Sequence, residues 1–251
     1  MSAPVGNLNQ EFYDRFWEDC PDFSRYNPGA RHRRRLISRV VGALPGTSLL
    51  DVGCGVGELL MALKRRFPSF VTVAGADFSA ETVRNNRARL PHTTFHVLDV
   101  AKEALPEQFD VVICSEVLEH IEQRASAVRN LAAMVAPGGH LLITCPTGRM
   151  YQTEKTFGHV SHPTEEELRR LGRDAGLVTA QAQTWGFPTY AALKWATNIN
   201  AEWALKNFAS GAYSRPARLV SEALYWVNFL NFPSHPAGCQ LVVLLRRPVG
   251  T

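Results

Sequence analysis

The chain has no Cys-x-x-Cys pair, and its five cysteines, Cys20, Cys54, Cys114, Cys145 and Cys239, are odd in number. That argues against a disulfide framework or a cysteine-based zinc site, and the thiols read as small apolar residues near strands. No H-E-x-x-H occurs, and no predicted helix carries two histidines one turn apart, so no metal is expected. No apolar run is long enough to span a bilayer. The first ten residues lack the apolar heart of a signal peptide, and a cytoplasmic location is the expectation. Internal repeats and low-complexity segments are missing as well. So is a strong excess of one charge: 27 Lys and Arg face 23 Asp and Glu, for a net charge of +4. That balance is too mild to call for nucleic acid. What is present is ordinary globular composition, 45% hydrophobic and 20% charged over 251 residues. It suits one α/β domain over 1–251.

Strand and helix patterns alternate along most of that length, which argues for a doubly wound, largely parallel sheet with helices on both faces. Strands are predicted at Ser48–Val52, Phe70–Ala76, Thr94–Asp99, Phe109–Ser115, His140–Thr144, Leu177–Trp185 and Cys239–Arg246. Helices are predicted between them at Glu58–Arg66, Ala80–Leu90, Gln123–Val135 and Thr164–Ala175. Thr164 with Glu167 three residues on has capping-box chemistry, and Gly176 is placed to end that helix. Residues 1–46 read as a helical cap of two helices, about Asn9–Asp19 and Ala30–Ala43. Residues 186–237 break the alternation with two helical patterns, Thr189–Phe208 and Arg215–Phe232. The stretch Trp185–Phe232 holds eleven of the 24 aromatic residues and four of the five tryptophans. Such enrichment suits a lid, a docking surface or a small helical subdomain.

The most informative stretch is Asp51-Val-Gly-Cys-Gly-Val-Gly57. It follows the short apolar run Ser48-Leu49-Leu50 and leads straight into a helix. Glycines at a strand-to-helix turn give a ligand access to bare backbone. Asp51 stands where a carboxylate can hold that turn or face a ligand's ammonium group. Asp77, 20 residues after Gly57, ends the second strand and can accept from ribose hydroxyls, with Phe78 beside it. Asp99 and Val100 end the third strand, where an acid and a backbone N–H can meet an adenine edge. The fourth strand, Phe109-Asp110-Val-Val-Ile-Cys-Ser115, empties into the acidic loop Glu116-Val-Leu-Glu-His120-Ile121.

Together these residues resemble the class I S-adenosylmethionine-dependent methyltransferases. The likeness covers roughly residues 45–180. It is nearest to the small-molecule subgroup with a Val-Leu-Glu-His-Ile loop, which includes ubiquinone-pathway-like O-methyltransferases and natural-product enzymes. It implies a Rossmann-like sheet of seven strands whose last, Cys239–Arg246, runs antiparallel. It implies the methyl donor S-adenosyl-L-methionine and the product S-adenosyl-L-homocysteine. Gly53, Cys54, Gly55 and Gly57 would lie near the methionine part, Asp77 on the ribose, Asp99 near the adenine, and Ser115 and Glu116 at the same edge. Tyr13 and Arg33 are the candidates to cover the methionine end.

Where the acceptor is a hydroxyl, a base must take its proton, and histidine suits that near neutral pH. His159 and His120 are the candidates, with His162 close by in Phe157-Gly-His-Val-Ser-His-Pro163. Tyr151, Trp185, Tyr190 and Trp195 are candidate acceptor walls, which favour a small apolar or aromatic acceptor, by oxygen first and then nitrogen or carbon. No basic stripe with interleaved aromatics and no N-P-P-Y-like sequence points to nucleic acid. The helix within 215–232 fits a bilayer surface or a homodimer interface equally well. Two other classes stay open. One is a non-catalytic or differently acting relative that binds the same sulfonium. The other is a NAD-dependent oxidoreductase, against which Glu58 stands where G-x-G-x-x-G would place its last glycine.

Overall fold

The computed structural model describes residues 20, 22–208 and 211–250. The expected first helix and Tyr13 lie outside them. Seven strands form one sheet in the order β3-β2-β1-β4-β5-β7-β6. They are β1 Ser48–Val52, β2 Thr72–Asp77, β3 Thr94–Val97, β4 Phe109–Ser115, β5 Val135–Pro146, β6 Val178–Trp185 and β7 Gln240–Arg246. β1 to β5 pair in parallel, and β7 runs antiparallel between β5 and β6. The order reverses between β1 and β4, and there the two strand ends open a crevice.

The central strands are continuous apolar runs because both faces are covered. Along β4, Val111 and Ile113 face one core cluster, while Val112 and Cys114 face the other. The first cluster packs under α2 Pro28–Val41 and α3 Glu58–Arg66 through Ile37, Val41, Leu60 and Leu63. The second packs under α5 Arg124–Ala133 and α7 Glu165–Asp174 through Leu131 and Leu168. Around these lie α1 Phe23–Tyr26, α4 Ala80–Arg89, α6 Gln152–Thr156, α8 Thr189–Thr197, α9 Ala201–Phe208 and α10 Arg215–Val227.

The differences from the sequence reading have local causes. The predicted helix Thr189–Phe208 is two helices. Asn198 turns its side chain back onto the Lys194 carbonyl and across to Thr153, and Asn200 caps α9 by accepting from the Trp203 N–H. Asparagine offers the backbone just such competing bonds. The helix beyond Arg215 ends at Val227 and tightens into a 3-10 turn, Asn228–Leu230. Pro137-Gly138-Gly139 lies inside β5, where the register against β4 shifts between Phe109 and Val111. Thr164 does cap α7 by accepting from the Glu167 N–H, but the Glu167 carboxylate is engaged by Arg124 at 3.2 Å. Gly176 ends that helix at φ 79°.

The aromatic insertion presents two faces. Its inner face packs on α1, α2 and α6 and stacks Tyr190 on Trp185 of β6, whereas Trp195, Trp203, Leu219, Val220, Trp226 and Leu230 are exposed. No described helix is long and apolar enough to cross a membrane.

Candidate active site

The turn after β1 is built from backbone. The Gly53 and Cys54 N–H groups both donate to the Ala76 carbonyl, at 2.8 and 3.0 Å. Gly53 and Gly57 take φ 74°, a conformation natural to glycine. A Cβ on Gly53 would also run into Val117 Cγ2. Asp77 and Asn86 clamp Gly55 from both sides. Its N–H donates to Asp77 Oδ2 at 2.9 Å, and Asn86 Nδ2 donates to its carbonyl at 2.6 Å.

Turn-holding, one of the two roles open to Asp51, therefore falls to Asp77 and Asn86. Asp51 is buried and lines the cavity beside the turn. Burial, and then the neighbouring Asp77, push its carboxyl up to about 8. Asp77 also accepts from the Ser79 N–H at 3.1 Å. The Leu98 N–H donates to the Asp77 carbonyl at 2.9 Å, which sets the ends of β2 and β3 side by side. Asp99 accepts from the Ala101 N–H and pairs with the exposed Lys102. The Val100 carbonyl accepts from Asn130. Phe78 is half-buried beside Asp77.

β4 delivers the next group. Ser115 shares a 2.8 Å hydrogen bond with Thr144 of β5. Glu116 follows at φ 58°, a left-handed conformation uncommon outside glycine. Its carboxylate pairs with Arg33 of α2 at 3.0 Å. Burial raises the Glu116 carboxyl, and Arg33 opposes that rise. Next comes a single 3-10 turn, Leu118–His120. Here Glu119 is fully buried, and neither carboxylate oxygen reaches a partner beyond its own residue among the described residues. Burial, then Glu116, hold its carboxyl well above the usual range.

The loop after α6 brings up the histidines. The Val160 N–H donates to the Glu119 carbonyl at 2.9 Å and ties the two loops together. His120 and His159 meet edge to face with ring centroids 4.7 Å apart. His159 Nδ1 lies 3.1 Å from His162 Nε2, and His162 Nδ1 lies 3.3 Å from the Gly148 carbonyl. Burial lowers His120 to about 4. Burial, then His120 and His162, lower His159 to about 2. Both imidazoles are neutral at physiological pH. Glu154 closes the file, 3.7 Å from His162 and 2.6 Å from Lys194 of α8.

A cavity of about 370 Å³ runs from the glycine turn to the histidine file, with Asp77, Asn86, Asp99, Val100 and His162 outside its lining. Of the residues read from sequence, Asp51, Gly53, Cys54, Gly55, Arg33, Ser115, Glu116, His120, His159 and Tyr190 line it. Trp185 stands behind as a second layer, buried and stacked on Tyr190 with centroids 4.9 Å apart. Gly57 caps α3 with its Cβ position facing Leu90 and Asn86. Tyr151 heads α6, its N–H donating to Glu154. Trp195 is 59% exposed and does not line the cavity. On an amphipathic helix its neighbours Tyr190 and Lys194 take the inner face. Glu119, Glu154, Lys194 and Asn86 were missed as site residues. Glu119 had a signal in its place beside His120. Lys194 had none, being one basic residue on an aromatic helix.

A family model described as a methyltransferase domain matches residues 23–182. The ubiquinone biosynthesis O-methyltransferase of Neisseria meningitidis serogroup C (strain 053442) is 32% identical over 188 residues, 65% of this chain and 78% of that protein. Among solved structures, the N-methyltransferase NodS from Bradyrhizobium japonicum WM9, in complex with S-adenosyl-L-homocysteine, superposes with a TM-score of 0.61 at 18% identity, covering 96% of this chain and 98% of that one. The [4+2]-cyclase SpnF gives a TM-score of 0.60 at 20% identity, covering 88% of this chain and 82% of its own. Both structural matches speak for the fold alone.

Proposed function

The chain belongs to the class I S-adenosylmethionine-dependent methyltransferases, and on that premise we propose that it methylates an oxygen of a small, apolar or aromatic hydroxylated acceptor. The carrying observation is the continuous cavity from Asp51 and the glycine turn to His120 and His159, walled by Phe157, Tyr190 and Leu193. The relatives' role in O-methylation within ubiquinone biosynthesis supports oxygen as the acceptor atom.

The residues fit the methyl donor. Asp51 is a buried acid facing the cavity, and no ion pair is formed with it among the described residues, as suits an incoming ammonium group. Gly53, Cys54 and Gly55 would hold the methionine part, with Arg33 and Glu116 covering it. Asp77 would take the ribose, and Asp99 with Val100 the adenine. When bound, S-adenosylmethionine supplies a methyl group already made electrophilic by its sulfonium.

The protein's work is then alignment and exclusion of water. Tyr190, Leu193 and Phe157 enclose the acceptor. His120 and His159 would hydrogen-bond its hydroxyl. Held near 2, His159 is too weak a base to keep a proton at neutral pH, so its role is to orient. Incubating the protein with isotopically labelled S-adenosylmethionine and paired panels of phenols and amines tests the reading. Label should appear on phenolic oxygen. Transfer confined to amines, or none from a donor that binds, overturns it.

A further inference from the structure

We propose that His162 acts through His159 on the methyl acceptor, fixing the tautomer of His159 and receiving the acceptor's proton from it. His159 lines the cavity, while His162 stands behind it, outside the lining. Their hydrogen bonds set where the protons sit. His162 Nδ1 lies 3.3 Å from the Gly148 carbonyl. A carbonyl oxygen only accepts, so Nδ1 carries the hydrogen, and Nε2 of the neutral ring is a lone pair. The group that donates to that lone pair is His159 Nδ1, 3.1 Å away. His159 therefore keeps its own hydrogen on Nδ1, and its Nε2 is the nitrogen left to accept from a hydroxyl.

The surroundings give this pair a direction. Burial lowers His120, His159 and His162 alike, but only His162 has a carboxylate pulling the other way. That carboxylate is Glu154, 3.7 Å from His162 Nε2. It is held in place by Lys194 at 2.6 Å and by the Tyr151 N–H at 2.8 Å, so it stands where an imidazolium needs it. Glu119 lies near His120 and His159, but burial keeps its carboxyl protonated and without charge. His120 has its own commitment, a hydrogen bond to the Gly158 backbone. The cations that face His162 are Lys194 and Arg124, and both oppose its protonation. Arg124 is turned to Glu167 and the Ser161 carbonyl. His162 is therefore neutral at rest and is the one ring of the three with a counter-ion ready for a passing charge.

The tautomers stand on this geometry alone, while their use rests on the function proposed above. As the acceptor's O–H proton passes to His159 Nε2, the Nδ1 proton of His159 passes to His162 Nε2. His159 stays neutral throughout, so a ring too weakly basic to keep a proton can still hand one on. His162 becomes an imidazolium opposite Glu154. The oxygen's electron pair forms the new O–CH3 bond as the S–CH3 bond breaks and its pair returns to sulfur. One proton per turnover goes to water as the products leave, and both rings return to the Nδ1–H form.

Long-range nitrogen–proton correlation spectra of the full chain, with isotopically labelled histidine, should show His159 and His162 neutral and protonated at Nδ1 near neutral pH. His162→Gln still offers His159 an amide oxygen but takes up no proton. With a weakly acidic phenol it should lower kcat by about 100-fold or more and change KM by less than about threefold. With a dinitrophenol, which is already ionised at neutral pH, the deficit should shrink below about fivefold, because no proton is left to move. Wild-type kcat should fall as pH drops through the His162 value, and Glu154→Gln, which removes the group that raises that value, should move this limb to lower pH. A His159 protonated at Nε2 overturns the proposal. So does a deficit in His162→Gln that is below about threefold with the weakly acidic phenol, or equally large with both phenols, the mark of a merely structural residue. Circular dichroism checks the fold of each variant, and should one not fold, the wild-type spectra decide. Transfer by the wild type to amines alone defeats the function proposed above. Transfer to phenolic oxygen with the wrong tautomers defeats only the relay.

Discussion

Lys194 of α8 lies 2.6 Å from Glu154 of α6, with side chains only 10% and 12% exposed. Asn198, one turn on, bonds both the Thr153 N–H and its hydroxyl. The aromatic insertion is therefore latched to the loop that carries the histidines. Removing one member of a buried pair strands the other. Lys194→Met should cost about 3 kcal/mol in denaturant unfolding, and adding Glu154→Gln should recover at least about 1 kcal/mol of it. A loss under about 0.5 kcal/mol for Lys194→Met would show that the latch is solvated.

Gly53→Ala meets two obstacles, a φ of 74° and Val117 Cγ2 in the place of the new Cβ. It should destabilise the fold by about 1–3 kcal/mol and weaken S-adenosylhomocysteine binding. Val117→Ala in the same chain should relieve the steric part and leave the dihedral part. Calorimetry and thermal melts on the single and double variants separate the two. Full recovery in the double variant would mean that packing alone demands glycine there.

The framework was legible because it follows from local rules. The strands Ser48–Val52 and Phe109–Ser115 and the helix Glu58–Arg66 fall where apolar runs, turn glycines and a following helical pattern put them. Spacing along one strand-turn-helix unit puts Asp51, Gly53 and Asp77 at the adjoining ends of β1 and β2, where the structure has them. The rest depended on contacts between distant segments. Nothing near Lys194 in the chain announces Glu154, and nothing near Asn86 announces the Gly55 carbonyl. Trp195 failed as a wall residue because composition gives aromatic content but not helix phase. Tyr190, five residues earlier, took the inward face.

Asp51 makes donor binding depend on pH. Its carboxyl lies near 8 in the folded protein, against an ordinary value near 4. At pH 7 it is protonated in the free protein and must ionise to meet an ammonium group. Binding should release close to one proton, and affinity should climb up to about tenfold per unit as pH rises from 6 toward 8. Above about 8 the ligand's own α-amino group loses its charge and affinity should fall again. Titrations in two buffers of different ionisation enthalpy measure the proton count. Asp51→Asn should bring that count to near zero, and a wild-type count near zero would show that Asp51 is ionised in the free protein.

Tyr190 and Trp195 offer the sharpest contrast on one helix. Tyr190 lines the cavity, stacks on Trp185 and presses its hydroxyl edge toward Gly29. Burial pushes that hydroxyl up to about 12, so it stays protonated. Trp195 stands outside, 59% exposed. Tyr190→Leu should lower kcat/KM for a phenolic acceptor by about 10- to 100-fold, which corresponds to about 1.4–2.7 kcal/mol of lost transition-state binding. Trp195→Ala should stay within about twofold of wild type in the same assay, since a solvent-facing side chain touches neither reactant. Thermal melts on both variants guard against a trivial loss of fold. A Trp195 variant impaired as badly as the Tyr190 variant would mean that the helix turns its other face to the acceptor during turnover.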